Sequence, residues 1–184
     1  EFEDHVSRLL ELQRTHGPRH ETEAVAHAHR MGAVLASHDD TTHEHVGVSA
    51  RHGIHLAEFP TTREAAEAGH AHGIQVMMGA PNLIRGGSHS GNVAAHELAE
   101  AGLLDIVSSD YVPSALMSSA FLLADVWDDL PGAIRCVTSN PARAAKLEDR
   151  GRVALGLHGD LVRVGRVDGT PVVRGVWCHG RQIG

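Results

Sequence analysis

The segment AHGIQVMMGAP, residues 71–81, indicates the fold class, because three other segments repeat its order of residues. In each, a glycine follows a helix-like stretch, an aliphatic run follows the glycine, and a polar or turn residue ends the run. The other segments are RMGAVLASHD at 30–39, RHGIHLAEFP at 51–60 and EAGLLDIVSSD at 100–110. Nearly continuous apolar runs are typical of strands buried on both faces. We therefore predict an α/β fold in which helices cover a parallel sheet.

The glycines also predict where helices end and strands begin. We predict strands at 33–36, 54–57, 74–78 and 105–108, and helices at 3–15, 20–31, 43–52, 62–72, 93–101, 114–129 and within 131–146. Residues 79–92 are predicted to form a long polar loop. From Gly151 onward, short β-type pieces separated by turns predict a strand-rich appendage. The predicted domains are therefore residues 1–149 and 150–184.

Composition and charge exclude several classes of protein. The 184 residues carry a net charge of −7, and the 16 Lys and Arg are scattered, so we expect no nucleic-acid partner. We find no signal-peptide pattern and no long apolar span, so we expect no membrane partner. Cys136 and Cys178 lie far apart in the sequence without a paired spacing, which favours a cytoplasmic location.

The predicted strands all end at one rim, where parallel α/β folds place their ligands. His38, in ASHDDTT, is a candidate metal ligand whose tautomer a neighbouring Asp carboxylate could fix. A helix-capping Asp-Thr cluster explains the segment equally well. Asp110 is a candidate base that takes a proton from an attacking water, or a plain turn residue. Glu58 is a weaker metal candidate, because it could equally be a loop carboxylate.

A glycine-rich stretch follows the third strand and is a candidate phosphate site. Backbone N–H groups and a guanidinium can surround a phosphate, and the next helix would point its N-terminus at the same rim. A flexible linker would look similar. The candidate substrate-binding residues are Asn82, Arg85, Gly86, Gly87, Ser88 and His89.

Three His-x-His pairs, 27/29, 43/45 and 70/72, fall in helix-like stretches. Residues two apart on a helix point in different directions, so these pairs are interpreted as solvated surface rather than as chelating sites.

Five segments together resemble the amidohydrolase superfamily, and within it the enzymes that cleave a triphosphate in phosphonate degradation. They are ASHDDTT, EFPTT, MGAPNLIRGGSHSGN, LDIVSSDYVPSAL and SNPARAAKLEDRG. The resemblance extends from about residue 1 to about residue 156, and its glycine-rich segment is the most specific part. It implies hydrolysis of the 5-triphosphate of a ribose 1-phosphonate, a small-molecule partner, with release of pyrophosphate.

The resemblance also implies a (β/α)8, TIM-like barrel with a divalent metal ion, Zn, Mn or Mg, at the carboxyl ends of its strands. In that pattern His38 matches the metal ligand on the fifth strand. Asp110 matches the aspartate on the eighth strand, which the resemblance implies is a metal ligand and also the catalytic base. Glu58 stands at the sixth-strand end, where the superfamily usually has His. The tail resembles the last strands of the small β-sandwich beside the barrel.

On this pattern the chain corresponds to the C-terminal half of the barrel, without the His-x-His and bridging ligand of the first four strands. We therefore expect the chain alone to be inactive, and exposed apolar edges to favour a homo-oligomer. Two alternatives stay open: a deaminase or cyclic-amide hydrolase of the same superfamily, and a non-catalytic fragment or binding module.

Overall fold

The structure is a computed structural model that describes residues 2–88 and 90–184. Its strands are β1 (Ala36–His38), β2 (Leu56–Glu58), β3 (Gln75–Gly79), β4 (Ile106–Ser108), β5 (Leu161–Val167), β6 (Thr170–Cys178) and β7 (Arg181–Gln182). Its helices are α1 (Phe2–Arg30), α2 (His43–Arg51), α3 (Arg63–Ala71), α4 (Ala80–Arg85), α5 (Ala95–Glu100), α6 (Ala115–Trp127), α7 (Leu130–Arg135) and α8 (Ser139–Ala144).

The predicted parallel sheet is present, and its strands lie side by side in chain order, β1-β2-β3-β4. His38 pairs with Glu58, Glu58 pairs with Met77, and Gly79 pairs with Ser108. The carboxyl ends of the strands therefore share one rim, as the repeated segments predict. The observed strands begin and end up to three residues later than predicted.

The four repeated glycines adopt the backbone conformation that their position requires. Gly32, Gly53, Gly73 and Gly102 all have φ between 67° and 72°, the left-handed region that ends a helix without a Cβ clash. Thr42 and Thr62 then cap α2 and α3 by accepting hydrogen bonds from the N–H groups of His45 and Ala65.

Glu64 does not form a capping box with Thr62. It is the second residue of α3, one position too early for that reciprocal bond, and its carboxylate accepts instead from the N–H of His43 at 3.3 Å. Glu64 thus ties the start of α2 to the start of α3.

The core lies between the sheet and its helices and is built from aliphatic residues and alanine. Its fully buried large side chains include Val76, Leu83, Leu98 and Leu123. The prediction that every strand is buried on both faces is wrong for β1, where Ala36 and His38 are exposed. β1 and β4 are the two edge strands, and β4 is largely buried, so the edge position alone does not explain the exposure of β1.

Residues up to Leu35 form one compact unit, and residues 36–184 form another. The first contains α1, a single helix that passes through Gly17 and Pro18 where two helices were predicted. A proline removes one backbone hydrogen bond. Ion pairs on both sides of it, Arg14 with Glu11 and Arg19 with Glu23, support the continuous helix.

The tail forms a separate antiparallel sheet, β5-β6-β7, in agreement with the predicted strand-rich tail. The predicted domain boundary near residue 149 stays a prediction. No helix in the described ranges combines the length and the apolar character that crossing a membrane requires.

Candidate active site at the strand ends

A cleft of about 230 Å³ opens at the carboxyl ends of the parallel strands. The residues after β1, β2 and β4 line it together with the segment that follows β3. The lining includes Asp39, Phe59, Gly79, Arg85, Asp110 and Tyr111. The four repeats therefore bring polar groups from distant parts of the sequence to one place.

Asp110 extends over the end of β3. A Cβ atom built on Gly79 would lie 3.1 Å from Asp110 Oδ2 and 3.6 Å from a ring carbon of Phe59. The absence of a side chain at Gly79 is what gives the carboxylate this position in the cleft.

His38 lies at the end of β1, next to the cleft, and its orientation suits a metal ligand. Its Nδ1 is 3.0 Å from Asp39 Oδ2, which leaves Nε2 as the ring nitrogen available to a metal. The ring meets Phe59 edge to face, with centroids 5.3 Å apart. Phe59 thus lies close both to His38 and to the end of β3, over which Asp110 extends.

Of the two aspartates after His38, only Asp39 acts as its carboxylate partner. Asp40 is buried and accepts hydrogen bonds from the hydroxyls of Ser37, at 2.6 Å, and of Ser49, at 3.3 Å. Its backbone carbonyl accepts from the N–H of Thr61 at 2.8 Å. Asp40 therefore stabilises the loop between β1 and α2.

Glu58 is half-buried beside His38 in the sheet register. Within the described ranges, one group of three His, Cys, Asp or Glu residues has all its ligand atoms within 4.8 Å of one another, and that group is Asp160, Cys178 and His179. His38, Glu58 and Asp110 are not gathered that closely. Their roles as metal ligands stay predictions.

The segment after β3 is partly helical rather than an extended loop. Pro81 lies in the first turn of α4, where its missing N–H removes no hydrogen bond, and Gly86 ends the helix with φ 80°. The N–H groups of Gly86 and Gly87 both donate to the carbonyl of Asn82, at 3.0 Å.

The side-chain amide of Asn82 closes this segment. Its Oδ1 accepts from the N–H of Ala95 at 3.0 Å, and its Nδ2 donates to the carbonyl of Val93 at 3.5 Å. Asn82 lines the cleft, but both ends of its amide already bind the backbone at the start of α5. A direct role in substrate binding stays a prediction for this residue.

Arg85 and Ser88 also line the cleft. Arg85 donates from Nη2 to the hydroxyl of Tyr111 at 2.9 Å, and Ser88 Oγ accepts from the N–H of Ser90 at 3.1 Å. The predicted contribution of His89 lies outside the described residues. Gly87 has open space around its Cα, so its backbone is accessible to a ligand.

Sequence reasoning missed Tyr111, the only tyrosine of the chain, although it directly follows Asp110. It also missed a shared backbone feature: Asp39, Phe59 and Asp110 all have positive φ, between 49° and 61°. Non-glycine residues in this region are strained and often occur at functional sites. The Asp and aromatic side chains at the repeated strand ends were the available signal.

His70 corrects the interpretation of the histidine pairs. Its Nε2 is 2.8 Å from Asp105 Oδ2, and the same oxygen accepts from the N–H of Val76 at 2.8 Å. The hydrogen bond to Asp105 raises the pKa of His70 above its ordinary value. This pair precedes β4, at the opposite end of the strands from the cleft, so it belongs to the fold rather than to the site.

No protein-family model matches the sequence. The chain is 54% identical over 152 residues to the alpha-D-ribose 1-methylphosphonate 5-triphosphate diphosphatase of Escherichia coli K12. That alignment covers 81% of this chain and 40% of the relative, so the chain spans less than half the length of the protein it matches. The resemblance predicted from the five motifs is confirmed.

Solved structures of amidohydrolases share the fold. An amidohydrolase from Thermotoga maritima has a TM-score of 0.65 at 19% identity, over 83% of this chain and 44% of the other. A prolidase in complex with N-methylphosphonate-L-proline has a TM-score of 0.62 at 22% identity, over 86% and 47%. A metal-dependent hydrolase from Pyrococcus furiosus has a TM-score of 0.54 at 14% identity, over 73% and 34%.

Proposed function

We propose, from its kinship with the amidohydrolases and with the E. coli diphosphatase, that this chain supplies half of a (β/α)8 metal-dependent hydrolase. The reaction would be hydrolysis of alpha-D-ribose 1-methylphosphonate 5-triphosphate to the 5-phosphate and pyrophosphate, in phosphonate catabolism in the cytoplasm. The 54% identity over 152 residues to that diphosphatase carries this proposal.

The donor atoms around β1 suit a divalent ion. His38 would bind it through Nε2, while Asp39 holds the other ring nitrogen and increases the basicity of the imidazole. Glu58 and Asp110 would add carboxylate oxygens. When bound, the ion would neutralise charge on the triphosphate and acidify the attacking water.

Asp110 would accept the proton of the attacking water. A carboxylate can do so when it is held within hydrogen-bond reach of that water, and the contact over Gly79 restricts where the Asp110 side chain can lie. Phe59, packed against the same spot, would exclude bulk water from one side of the carboxylate.

Arg85 would bind the phosphate chain. Its guanidinium is held by Tyr111 through Nη2, so the other N–H groups remain free to donate to phosphate oxygens. The backbone N–H of Ser88 would donate to the same phosphates, and Gly87, whose own N–H is bound to Asn82, would leave space for them beside its backbone. A contact from His89 to the phosphates stays a prediction.

A chimera tests this proposal, in which the 152 matching residues of this chain replace their counterparts in the E. coli diphosphatase. With divalent metal we expect the chimera to release pyrophosphate from the triphosphate substrate. Asp110→Asn should lower kcat by about 100- to 10,000-fold while metal stays bound. Absence of pyrophosphate, or full activity of Asp110→Asn, would contradict the proposal.

Arg85→Ala in the same chimera separates this function from that of a deaminase or cyclic-amide hydrolase. Losing charge-assisted hydrogen bonds to phosphate should raise KM for the triphosphate by about 10- to 100-fold. An enzyme that acts on an uncharged amide would be insensitive to this change.

A further inference from the structure

A second group of metal-binding side chains lies at one end of the β5-β6-β7 sheet. Asp160 precedes β5, Cys178 ends β6, and His179 begins the turn into β7. One ligand atom of each lies within 4.8 Å of the other two. None of the three belongs to the cleft at the carboxyl ends of β1 to β4.

Backbone hydrogen bonds hold the three residues together. The N–H of His179 donates to Asp160 Oδ1 at 2.8 Å, and the N–H of Gly180 donates to the carbonyl of Gly159 at 2.9 Å. A Cβ atom on Gly159 would lie 2.9 Å from the nitrogen of Gly180, so the two turns can approach this closely only with glycine there. The backbone of the two turns, and not only the side chains, therefore determines where the three residues lie.

The electrostatic surroundings favour a cation. The hydrogen bond from the His179 backbone lowers the pKa of Asp160, so this carboxyl stays ionised at neutral pH. The nearby guanidinium of Arg150 is paired with Asp149 at 2.8 Å, which offsets its charge.

His158 forms one wall of the site. Its ring centroid is 4.6 Å from that of His179, and its Nδ1 is 3.8 Å from Asp160 Oδ2. Because Arg150 Nη2 lies 3.2 Å from that Nδ1 and Asp149 Oδ2 lies 3.4 Å from Nε2, both ring nitrogens already have partners. His158 would therefore pack against the metal ligands without binding the metal itself.

We propose that Asp160, Cys178 and His179 bind a zinc ion, with water as the fourth ligand. Thiolate, imidazole and carboxylate together suit Zn²⁺, whereas Mg²⁺ and Ca²⁺ prefer oxygen ligands alone. Tetrahedral zinc sites separate their ligand atoms by about 3.5 Å, given metal–ligand distances of about 2.0 to 2.3 Å. The three ligand atoms, at most 4.8 Å apart, would have to approach one another by up to about 1.3 Å to reach that spacing. The site is independent of the proposed hydrolase function.

Cobalt(II) titration of the 184-residue chain tests the site, because Co²⁺ takes zinc's place and a cobalt–thiolate bond gives a charge-transfer absorption band. Cys178 is exposed, whereas Cys136 is buried with its pKa raised to about 11 by desolvation, so the band reports on Cys178. We expect a band that Zn²⁺ abolishes, that Cys178→Ser removes, and that Cys136→Ala retains.

Asp160→Asn and His179→Ala should weaken cobalt binding by more than about 10-fold, since even outer-shell partners of a metal contribute about 10- to 100-fold. Asp168→Asn, an exposed change in the β5–β6 turn, is the matched control and should bind normally. In the unmodified chain, Zn²⁺ should also slow alkylation of Cys178. Absence of the band, its persistence in Cys178→Ser, or equal binding by Asp160→Asn and Asp168→Asn would overturn the proposal.

Discussion

Asp110 Oδ2 would lie 3.1 Å from a Cβ atom on Gly79, a separation shorter than ordinary van der Waals contact. The end of β3 thereby defines the position of a carboxylate that follows β4. Because β3 and β4 pair through Gly79 and Ser108, the pairing also fixes the distance between Gly79 and the loop after β4 that carries Asp110. Gly79 is therefore a positioning residue for the proposed base, although it carries no chemistry of its own.

Gly79→Ala should displace the Asp110 side chain by a few tenths of an ångström. Because small misplacements of reacting groups reduce rates strongly, we expect kcat of the chimera to fall by about 10-fold while its fold is retained. Pyrophosphate release under saturating substrate measures this. Gly47→Ala in α2, where the new methyl group meets only the flexible end of Arg51, should have normal kcat. Equal rates for the two variants would contradict the positioning role.

Tyr111→Phe should loosen Arg85 without removing its charge. The lost hydrogen bond is exposed, so we expect KM for the triphosphate to rise only about two- to fivefold, with kcat little changed. Steady-state kinetics of Tyr111→Phe, Arg85→Ala and the double variant check this. If Tyr111 acts through Arg85, the double variant will match Arg85→Ala, and additive effects would exclude that explanation.

The His70–Asp105 hydrogen bond should make stability depend on pH. The pKa of His70 is raised in the folded state, so protonation of His70 stabilises the fold below its ordinary pKa of 6.5. That contribution is lost as pH rises through the raised value. Urea unfolding should therefore show that His70→Ala is relatively more destabilising at about pH 6 than at about pH 8.5. His72→Ala, exposed beyond the end of α3, should show no such trend, and a trend of opposite sign would refute the assignment.

Leu123 is fully buried where α6 packs on the sheet, and Leu123→Ala should leave a cavity. The expected loss is about 2 to 5 kcal/mol in the free energy of unfolding, measured by urea denaturation. Leu155, whose side chain is fully exposed, provides the control, since Leu155→Ala should change that free energy by less than about 0.5 kcal/mol. Similar losses of unfolding free energy for the two variants would contradict the buried position of Leu123 between α6 and the sheet.

The two cysteines should differ in reactivity. Burial raises the pKa of Cys136 to about 11, so it is neither accessible nor ionised near neutral pH, whereas Cys178 is exposed. A thiol reagent without added metal should therefore modify one cysteine quickly in the native chain and two after denaturation. Cys178→Ser should abolish the fast reaction, and two fast thiols in the native state would contradict the buried environment of Cys136.

The sheet could be predicted from sequence because its signals are local. A helix end that requires positive φ favours a glycine such as Gly53, and the continuous aliphatic run after it is typical of a strand buried in a core. The exposure of β1 could not be predicted, because the aliphatic run Ala33–Ala36 resembles the other runs in sequence although the strand it leads into is exposed.

Some features of the candidate site could likewise be predicted from the sequence, and others could not. His38 and Asp110 follow apolar runs, so their common rim was predictable. The short helix α4 was missed because the glycines at 86 and 87 suggested a loop, while Pro81 and the left-handed cap at Gly86 favour a helix. The contact between Arg85, at the end of α4, and Tyr111 joins residues 26 positions apart, and no local sequence pattern encodes it.

Each strand of the parallel sheet lies beside the strand that precedes it in the chain, with Ala36 next to Leu56 and Leu56 next to Gln75. A polypeptide emerging from the ribosome can therefore add one helix–strand unit at a time to an edge that already exists. Every such addition pairs strands that are 19 to 29 positions apart in the chain, which limits the loop-closure entropy of each step. The same arrangement leaves the newest edge open until the next unit arrives, so slow synthesis would prolong exposure to wrong pairing partners.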